Sequence, residues 1–321
     1  AWLRAAEART AEALGHHARA AREAVSHPLA AAPALELSHR RQDWAGSGNG
    51  TESEIGVALP LWLPGQRQAR LAAVDIEDRL AQANQDSARL QVAGKVLEGA
   101  WQVAAAEDGH RLQADQVALL ARLVRDVQRR VAAGDLAPAD SLAAQAEWLE
   151  AQDALGAAAQ ALAEARSRWR ELTGLDAPLE RLEGATPSDA PTGLAHPDQV
   201  VADLAAEHAR RRVVALDHDR REPPELLVRL RQDTGGAFGR AQDSVGFGLR
   251  IPLGHDARNA PRQAAAATAL DLALAAAVRT RNRLVIAQRL ASDTVDGVST
   301  RLDAARTRAT LLQERARLIQ R

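Results

Sequence analysis

Histidines and carboxylates are the side chains of this 321-residue sequence that could bind a metal ion. The two densest histidine groups are His16-His17 and Asp217-His218-Asp219. Adjacent residues on a helix point to different faces, so they do not easily share one ion. His208 also lies outside the four-residue spacing from His218 that a helical zinc pair requires. We therefore predict solvated or packed histidines, no metal centre and no cofactor.

Motifs of nucleophilic and nucleotide chemistry are also missing. The sequence has no cysteine, no Gly-x-Ser-x-Gly, no P-loop and no dinucleotide fingerprint. Its carboxylates lie on helical segments, and nothing pairs them into an acid/base dyad. The 41 basic and 42 acidic residues give a net charge of −1, so no overall field attracts nucleic acid. We expect neither an enzyme nor a nucleic-acid-binding protein.

The segment 130–144 combines charged residues with a turn signal. Gly134 can adopt the positive φ of a tight helix-to-helix turn, and Leu136 gives that turn an exposed apolar side chain. Three charged residues surround it: Arg130, Asp135 and Asp140. They can donate or accept charge-assisted hydrogen bonds with a partner or between copies of the chain. A structural alternative stays open, in which Gly134 caps one helix and Asp135 or Asp140 caps the next.

Two long helices position this turn. Nothing except single glycines interrupts the helical pattern over 66–131, which corresponds to about 100 Å at about 1.5 Å per residue. A returning helix is predicted over 138–173. Apolar residues recur seven apart in both: Leu90, Leu97 and Ala104, then Val117, Val124 and Val131, and on the returning helix Leu155, Leu162 and Trp169. This spacing is typical of helices that wrap around one another, so we predict an antiparallel helical hairpin.

Alternating patterns predict two pairs of strands. The strands lie at about 34–44, 53–62, 225–233 and 243–253, with glycine-rich turns at 46–50 and 235–239. On the last strand one face carries Val245, Phe247, Leu249 and Ile251. Shorter helices at about 1–28 and 198–220 precede the pairs, and a second long helix is predicted over 259–321. No stretch reaches the roughly 18 consecutive apolar residues of a membrane-spanning helix.

The two sets of elements are copies of one unit. The segment 33–43 is echoed by 223–233, and 54–59 by 244–249, at a constant offset of 190 residues. A repeat this long indicates one structural unit used twice. We predict a first repeat at 1–196, including a connector at 174–196, and a truncated second repeat at 197–321. We expect the protein to be incomplete, lacking a leader and a final returning helix.

The strands have the length of membrane-crossing β-strands, and three chains with four strands each would close a twelve-stranded barrel. The duplicated order of helix, strand pair and helical hairpin resembles the TolC-like outer-membrane factors. The segment 130–144 is similar to that family's tip pattern, with Val131 in place of a frequent aromatic residue. The strand-to-helix corners contain Pro60, Pro64, Gly65 and Pro252. The Leu-Pro-Gly-Gln-Arg form at 63–67 suggests the heavy-metal, CzcC-like branch.

The resemblance implies a mainly α protein with a small β part. It implies a homotrimer whose barrel lies in the outer-membrane lipid of a Gram-negative bacterium and continues as a periplasmic helical barrel. Such a protein is the passive outer-membrane duct of a tripartite pump, with a periplasmic adaptor and an inner-membrane RND pump as partners and heavy-metal cations as the expected cargo. Adaptor docking would involve Arg130, Val131, Gly134, Asp135, Leu136, Asp140 and Leu142. Lipid contact would involve Val245, Phe247, Leu249 and Ile251.

Three other interpretations stay open. The duct can instead serve drug efflux or type I secretion. In another class, the chain is a soluble coiled-coil scaffold or a lipid-surface protein whose predicted strands are wrong. Trp44 and Trp62 suit the two membrane interfaces, although Trp62 is equally suited to packing against a helix.

Overall fold

The computed structural model describes residues 1–42, 50–176, 195–234, 240–253 and 256–319. It is mainly helical, with one antiparallel sheet, as the sequence predicts. The elements are a 3-10 turn (Trp2–Arg4), α1 (Ala6–Ser26), β1 (Ala34–Gln42), β2 (Gly50–Pro60), α2 (Gln66–Ala132), α3 (Pro138–Thr173), α4 (Pro197–His218), β3 (Glu225–Thr234), β4 (Ala241–Arg250) and α5 (Asp256–Ile319). Within these ranges no helix has the length and apolar character needed to cross a membrane.

The predicted long helices are present, but some strand ends differ. Gly50 belongs to β2 rather than to a turn, because it pairs with Gln42. β4 ends at Arg250, so Ile251 lies beyond it, contrary to prediction. The register would place Ile251 opposite Pro224, and neither that proline nor Pro252 has an N–H to continue the ladder. The predicted turns at 46–49 and 235–239 and most of the connector lie outside the described residues.

Residues divide into two compact units, and the first comprises 1–14 and 84–194. Here α2 and α3 pack as the predicted antiparallel hairpin. The cluster at their seam contains Ala100, Val103, Ala165 and Trp169. One residue pair reinforces it, since Arg166 Nη2 lies 2.8 Å from Glu107 Oε1. The small side chains at the seam leave room for the Trp169 ring, which is 5% exposed.

The seven-residue pattern identified the hairpin but was wrong about part of its seam. Leu90 and Leu97 are 45% and 53% exposed, whereas Val92 and Val103 are buried. A seven-residue spacing fits several faces of one helix, and the bulk of Trp169 selects the face with the smaller residues. Trp101, on the same helix as Leu90 and Leu97, is half exposed.

The second compact unit comprises 15–83 and 195–321 and contains the sheet. Its strand order is β1-β2-β3-β4, and every neighbouring pair is antiparallel. The central pair joins a strand of the first repeat to a strand of the second. The second compact unit therefore combines segments of both predicted repeats, whereas the first unit lies within the first repeat. The boundary between the repeats at 196–197 stays a prediction.

The corner between β2 and α2 is fixed by a buried polar network. The Gln66 side chain is 1% exposed; its Oε1 accepts the Leu63 N–H at 3.0 Å, and its Nε2 donates to Asp219 Oδ1. Arg70 donates to Asp219 Oδ2 through Nε at 3.0 Å and Nη2 at 2.6 Å. Asp219 follows α4, so this network ties the start of α2 to the segment leading into β3.

Backbone geometry and packing complete the corner. Gly65 has φ 79°, and a Cβ there would lie 3.1 Å from His218 Cε1. The Trp62 indole N–H donates to the His27 carbonyl at 3.1 Å, and the Arg70 guanidinium lies 5.4 Å from the Trp62 ring centroid. Trp62 therefore packs at the corner, the second of its two expected roles. Trp44 lies outside the described residues.

Replacing Asp219 with alanine tests the corner network. We expect Asp219→Ala to lower the free energy of unfolding by about 1–3 kcal/mol, because the buried Gln66 amide and Arg70 lose their acceptor. Thermal unfolding of the purified full-length protein, followed by circular dichroism, measures the change.

Asp217→Ala is the matched control. Its carboxylate is half exposed and makes a long, solvent-exposed ion pair with Arg220 at 3.8 Å. The loss of unfolding free energy in this variant should therefore stay within about 0.5 kcal/mol. Equal losses in the two variants would show that the network does not hold the corner.

Candidate functional site

The strand register gathers apolar side chains on one face of the sheet. Three rows cross the strands: Leu35, Val57, Val228 and Phe247; Leu37, Ile55, Leu230 and Val245; and Leu59, Leu226 and Leu249. We call these residues the apolar belt. Leu37 is 71% exposed and Phe247 is 76% exposed. A continuous exposed apolar surface of this kind marks contact with lipid or with protein.

Polar rows bound the belt at the end of the sheet farther from the corners. The first of these contains His39, Ser53, Gln232 and Asp243. His39 Nδ1 lies 3.0 Å from Ser53 Oγ. In the next row the hydroxyls of Thr51 and Thr234 are hydrogen-bonded, and Thr234 Oγ1 also donates to the Thr51 carbonyl at 2.8 Å. Rows on one face are about 6.8 Å apart, so three rows with their side chains extend about 20 Å, close to the roughly 25 Å apolar band of outer-membrane barrels.

The opposite face of the sheet is charged. Arg229 Nε lies 3.1 Å from Glu54 Oε1, and its Nη2 lies 3.3 Å from Glu36 Oε2. Arg231 Nη2 lies 3.1 Å from Glu52 Oε2 and 3.3 Å from Asp233 Oδ2. Nearer the corners this face becomes apolar, with Ala58 and Leu227 buried. The sheet therefore has one apolar side and one side of paired charges.

The structure places the predicted β4 residues Val245, Phe247 and Leu249 together on the apolar belt, and their contact with lipid stays a prediction. Ile251 is exposed but lies outside the strand. The belt residues of β1, β2 and β3 and the contacts of Arg229 were not among the site residues predicted from the sequence. A sequence signal for them exists on β3, where Leu226, Val228 and Leu230 alternate with Arg229 and Arg231. This alternation indicates one apolar face and one charged face.

The turn of the helical hairpin is a Schellman motif. The Asp135 N–H donates to the Arg130 carbonyl at 2.9 Å, and the Gly134 N–H donates to the Val131 carbonyl at 3.0 Å. Gly134 has the predicted positive φ, 85°. Asp140 Oδ2 accepts the Ala137 N–H at 3.0 Å, which caps the start of α3. Gly134 and Asp140 therefore have the capping roles that the sequence left open as an alternative to partner contact.

The exposed apolar residue near this turn is not the expected one. Leu136 is half-buried, as is Val131, whereas Leu142 is 67% exposed. Arg130 and Asp135 are exposed. Participation of the predicted tip residues in docking stays a prediction.

Two histidines on helices of the second unit contact the same carboxylate. His17 Nδ1 lies 2.8 Å from Glu77 Oε1, and His208 Nε2 lies 3.9 Å from Glu77 Oε2. Burial lowers the pKa of His208, against the raising effect of Glu77, and Arg212 lowers it further. The net lowering of the pKa favours the neutral imidazole of His208. Nowhere in the described ranges do three or more histidine and carboxylate side chains form a group that could hold a metal ion.

Comparison with known proteins gives one family and one named relative. Residues 3–175 match the family model described as outer membrane efflux protein. The cobalt-zinc-cadmium resistance protein CzcC of Cupriavidus metallidurans is 28% identical over 209 residues, which are 63% of this chain and 50% of that protein. The chain thus spans about half the length of this relative.

Solved structures show the same fold at low sequence identity. The outer membrane protein VceC of Vibrio cholerae gives a TM-score of 0.66 at 14% identity, covering 87% of this chain and 73% of that one. The CmeC outer membrane channel of Campylobacter jejuni gives a TM-score of 0.65 at 14% identity, covering 87% and 65%. The predicted architecture is confirmed at the level of the fold.

A pair of glycine substitutions tests the turn. A Cβ would meet no atom within 4 Å at either Gly134 or Gly156, so the two sites differ in backbone conformation rather than in space. We expect Gly134→Ala to destabilise the protein by about 1–2 kcal/mol, because alanine resists positive φ.

Gly156→Ala should stabilise α3 by up to about 1 kcal/mol, because alanine is the better helix former. Thermal unfolding of both variants measures the difference. Shifts of the same sign would contradict the assigned turn conformation.

Proposed function

The chain belongs to the outer membrane efflux protein family, and from this premise we propose that it is the outer-membrane channel component of a tripartite efflux pump. It is a protein of the cell outer membrane with a periplasmic helical extension, and its family and fold are those of channel proteins. The observation that best supports the proposal is the sheet, which is apolar and exposed on one face and charged on the other. Such a wall separates lipid from an aqueous passage.

The edges of the sheet support an oligomeric channel. β1 and β4 each have a single strand neighbour in the part of the chain that the structure describes. An open strand edge leaves backbone N–H and C=O groups without partners, which the hydrocarbon region of a membrane does not tolerate. Three copies joined from β4 to β1 would satisfy both edges and give twelve strands. The homotrimer removes the unpaired edges without any change in the fold.

A passive duct agrees with the chemistry of the residues. Arg229 and Arg231 lie within ion-pair distance of neighbouring acids on the sheet, and the described residues contain no group of three or more histidine and carboxylate side chains that could hold a metal ion. Substrate would enter from an inner-membrane RND pump through a periplasmic adaptor. Heavy-metal cations are the proposed cargo, supported by the similarity to a protein named for cobalt, zinc and cadmium resistance. Drug efflux and type I secretion stay as alternative cargoes, because a wide duct does not need specific ligands.

Docking to the adaptor is proposed for the turn between α2 and α3. The bonds of Gly134 and Asp140 shape the turn, so their contribution to docking is indirect. Arg130, Asp135 and Leu142 are exposed and available to a partner. An arginine, a carboxylate and a leucine together suit a partner helix with an apolar stripe flanked by charges.

Membrane fractionation tests the channel. We expect the protein expressed from its complete gene to fractionate with the outer membrane and to migrate as a heat-labile trimer on unheated gels. Phe247→Arg places a charge on the apolar belt, which should destabilise the membrane-inserted barrel by about 2–4 kcal/mol per site. The amount of membrane trimer should therefore fall several-fold.

Gln242→Arg is the matched control, because it adds the same charge to β4 on the other face, opposite Asp233. It should leave the trimer intact. A soluble protein, or equal loss in both variants, would favour the scaffold interpretation.

Adaptor capture tests the tip. We expect Leu142→Asp to weaken capture of the purified adaptor by about tenfold, equivalent to about 1.4 kcal/mol, because a charge replaces an exposed apolar contact. Leu149→Asp changes a leucine 58% exposed that lies two turns farther along the same helix, so capture should be nearly unchanged.

Both variants must retain the heat-labile trimer for the comparison to hold. Unchanged capture by the Leu142 variant, measured on intact trimer, would refute this docking surface.

A further inference from the structure

We propose that Arg229 sets the ion selectivity of the channel by neutralising two glutamates on its wall. The inference depends on the proposed function, because the charged face of the sheet lines the passage only if the apolar belt faces lipid. The residue concerned lies on β3, in the row Glu36, Gly56, Arg229 and Gly246.

The Arg229 side chain reaches across a whole strand. Its partner Glu54 lies on the neighbouring strand β2, and its other partner, Glu36, lies on β1, two strands away. Gly56 lies between them, and a Cβ at that position would approach Arg229 Cγ to 3.0 Å. The absence of a side chain at Gly56 therefore allows the guanidinium to lie across β2 and contact both carboxylates.

The fork geometry of arginine makes this bridge effective. Nη2 donates a hydrogen bond to Glu36 and Nε lies within ion-pair distance of Glu54, so one positive charge is shared by two negative charges. Glu54 is 21% exposed at its side chain and Arg229 is 41% exposed, which leaves the pair only partly screened by water. Removing the arginine would leave both carboxylates facing the passage without this positive partner.

The charge balance of this face makes it sensitive to a single residue. The strand residues on the face include the acids Glu36, Glu52, Glu54, Glu225 and Asp233 and the bases Arg40, Arg229, Arg231 and Arg250. Five acids and four bases leave one net negative charge per copy, and loss of Arg229 doubles it. A lumen lined by one sign of charge concentrates the opposite ion, whereas a paired lining discriminates weakly.

Neighbouring β4 contributes little charge to the centre of this face. Its side chains there are Ser244, Gly246 and Gly248, and a Cβ at Gly246 would meet no atom within 4 Å. The ionic groups are thus concentrated on β1, β2 and β3, with Arg229 at their centre. This concentration makes Arg229 the best single position for changing the field in the passage.

Ion selectivity in planar lipid bilayers tests the proposal. Trimer purified from the outer membrane is inserted under a tenfold KCl gradient, and the reversal potential gives the ratio of potassium to chloride permeability. We expect weak selectivity for the wild type and a ratio about twofold or more higher for Arg229→Gln. The difference should shrink when both chambers are near 1 M KCl, where the Debye length falls to about 3 Å.

Two further variants keep the test decisive. Glu54→Gln should shift the ratio in the opposite direction, and it tests the idea even where the arginine variant fails to assemble. The double variant Arg229→Gln/Glu54→Gln should return close to the wild-type ratio. If all variants assemble as outer-membrane trimers and show equal selectivity, the role of Arg229 is overturned and the proposed function stands. If the wild-type protein never forms this trimer, the proposed function is overturned as well.

Discussion

The antiparallel pairing of β2 with β3 is the interaction on which the other features of the sheet depend. Each strand pair alone would be a two-stranded hairpin, which is marginally stable in water. The central pairing joins them into four strands and fixes a common register from Thr51 opposite Thr234 to Pro60 opposite Glu225. A slip of one residue would move every belt residue of one hairpin to the charged face. The corner network supports this register, because Asp219 and Gln66 hold the chain just before β3 and just after β2.

The two faces of the sheet are stable in different surroundings. The apolar belt exposes large side chains that water does not favour, so its stability depends on a covering phase or partner. The charged face needs no such cover, because Arg229 and Arg231 already bond the acids beside them. An asymmetric wall of this kind is stable where one side is lipid and the other is aqueous. Within the described residues β1 and β4 each have one strand neighbour, which agrees with the proposed continuation of the wall into strands of other copies.

Sequence periodicity predicted the elements well, and it predicted their contacts poorly. The alternation on β4 and the long helical patterns depend on near neighbours, so they are readable in one dimension. The contact between Arg70 and Asp219 joins residues far apart in sequence, and no local pattern indicates it. The same limit explains the error at Leu90 and Leu97, since the hairpin seam was decided by the size of Trp169 on the other helix. Ile251 was assigned to β4 because alternation continues there, whereas the strand ends where its partner is a proline.

The helical turn shows how structural and recognition roles divide within one motif. Gly134 is required for the positive φ, and the Asp140 carboxylate is occupied by the Ala137 N–H, so their side chains and backbone are already committed to the turn. Arg130 contributes its carbonyl to the turn and keeps its guanidinium exposed. In the proposed docking, a partner would contact the Arg130 and Leu142 side chains directly, whereas Gly134 and Asp140 would act only by shaping the turn. Because any short helix-to-helix turn has the same backbone demands, the glycine and the capping carboxylate carry little information about the partner. If the proposed docking is correct, the exposed side chains beside them carry that information, and related ducts with different adaptors should differ at these positions.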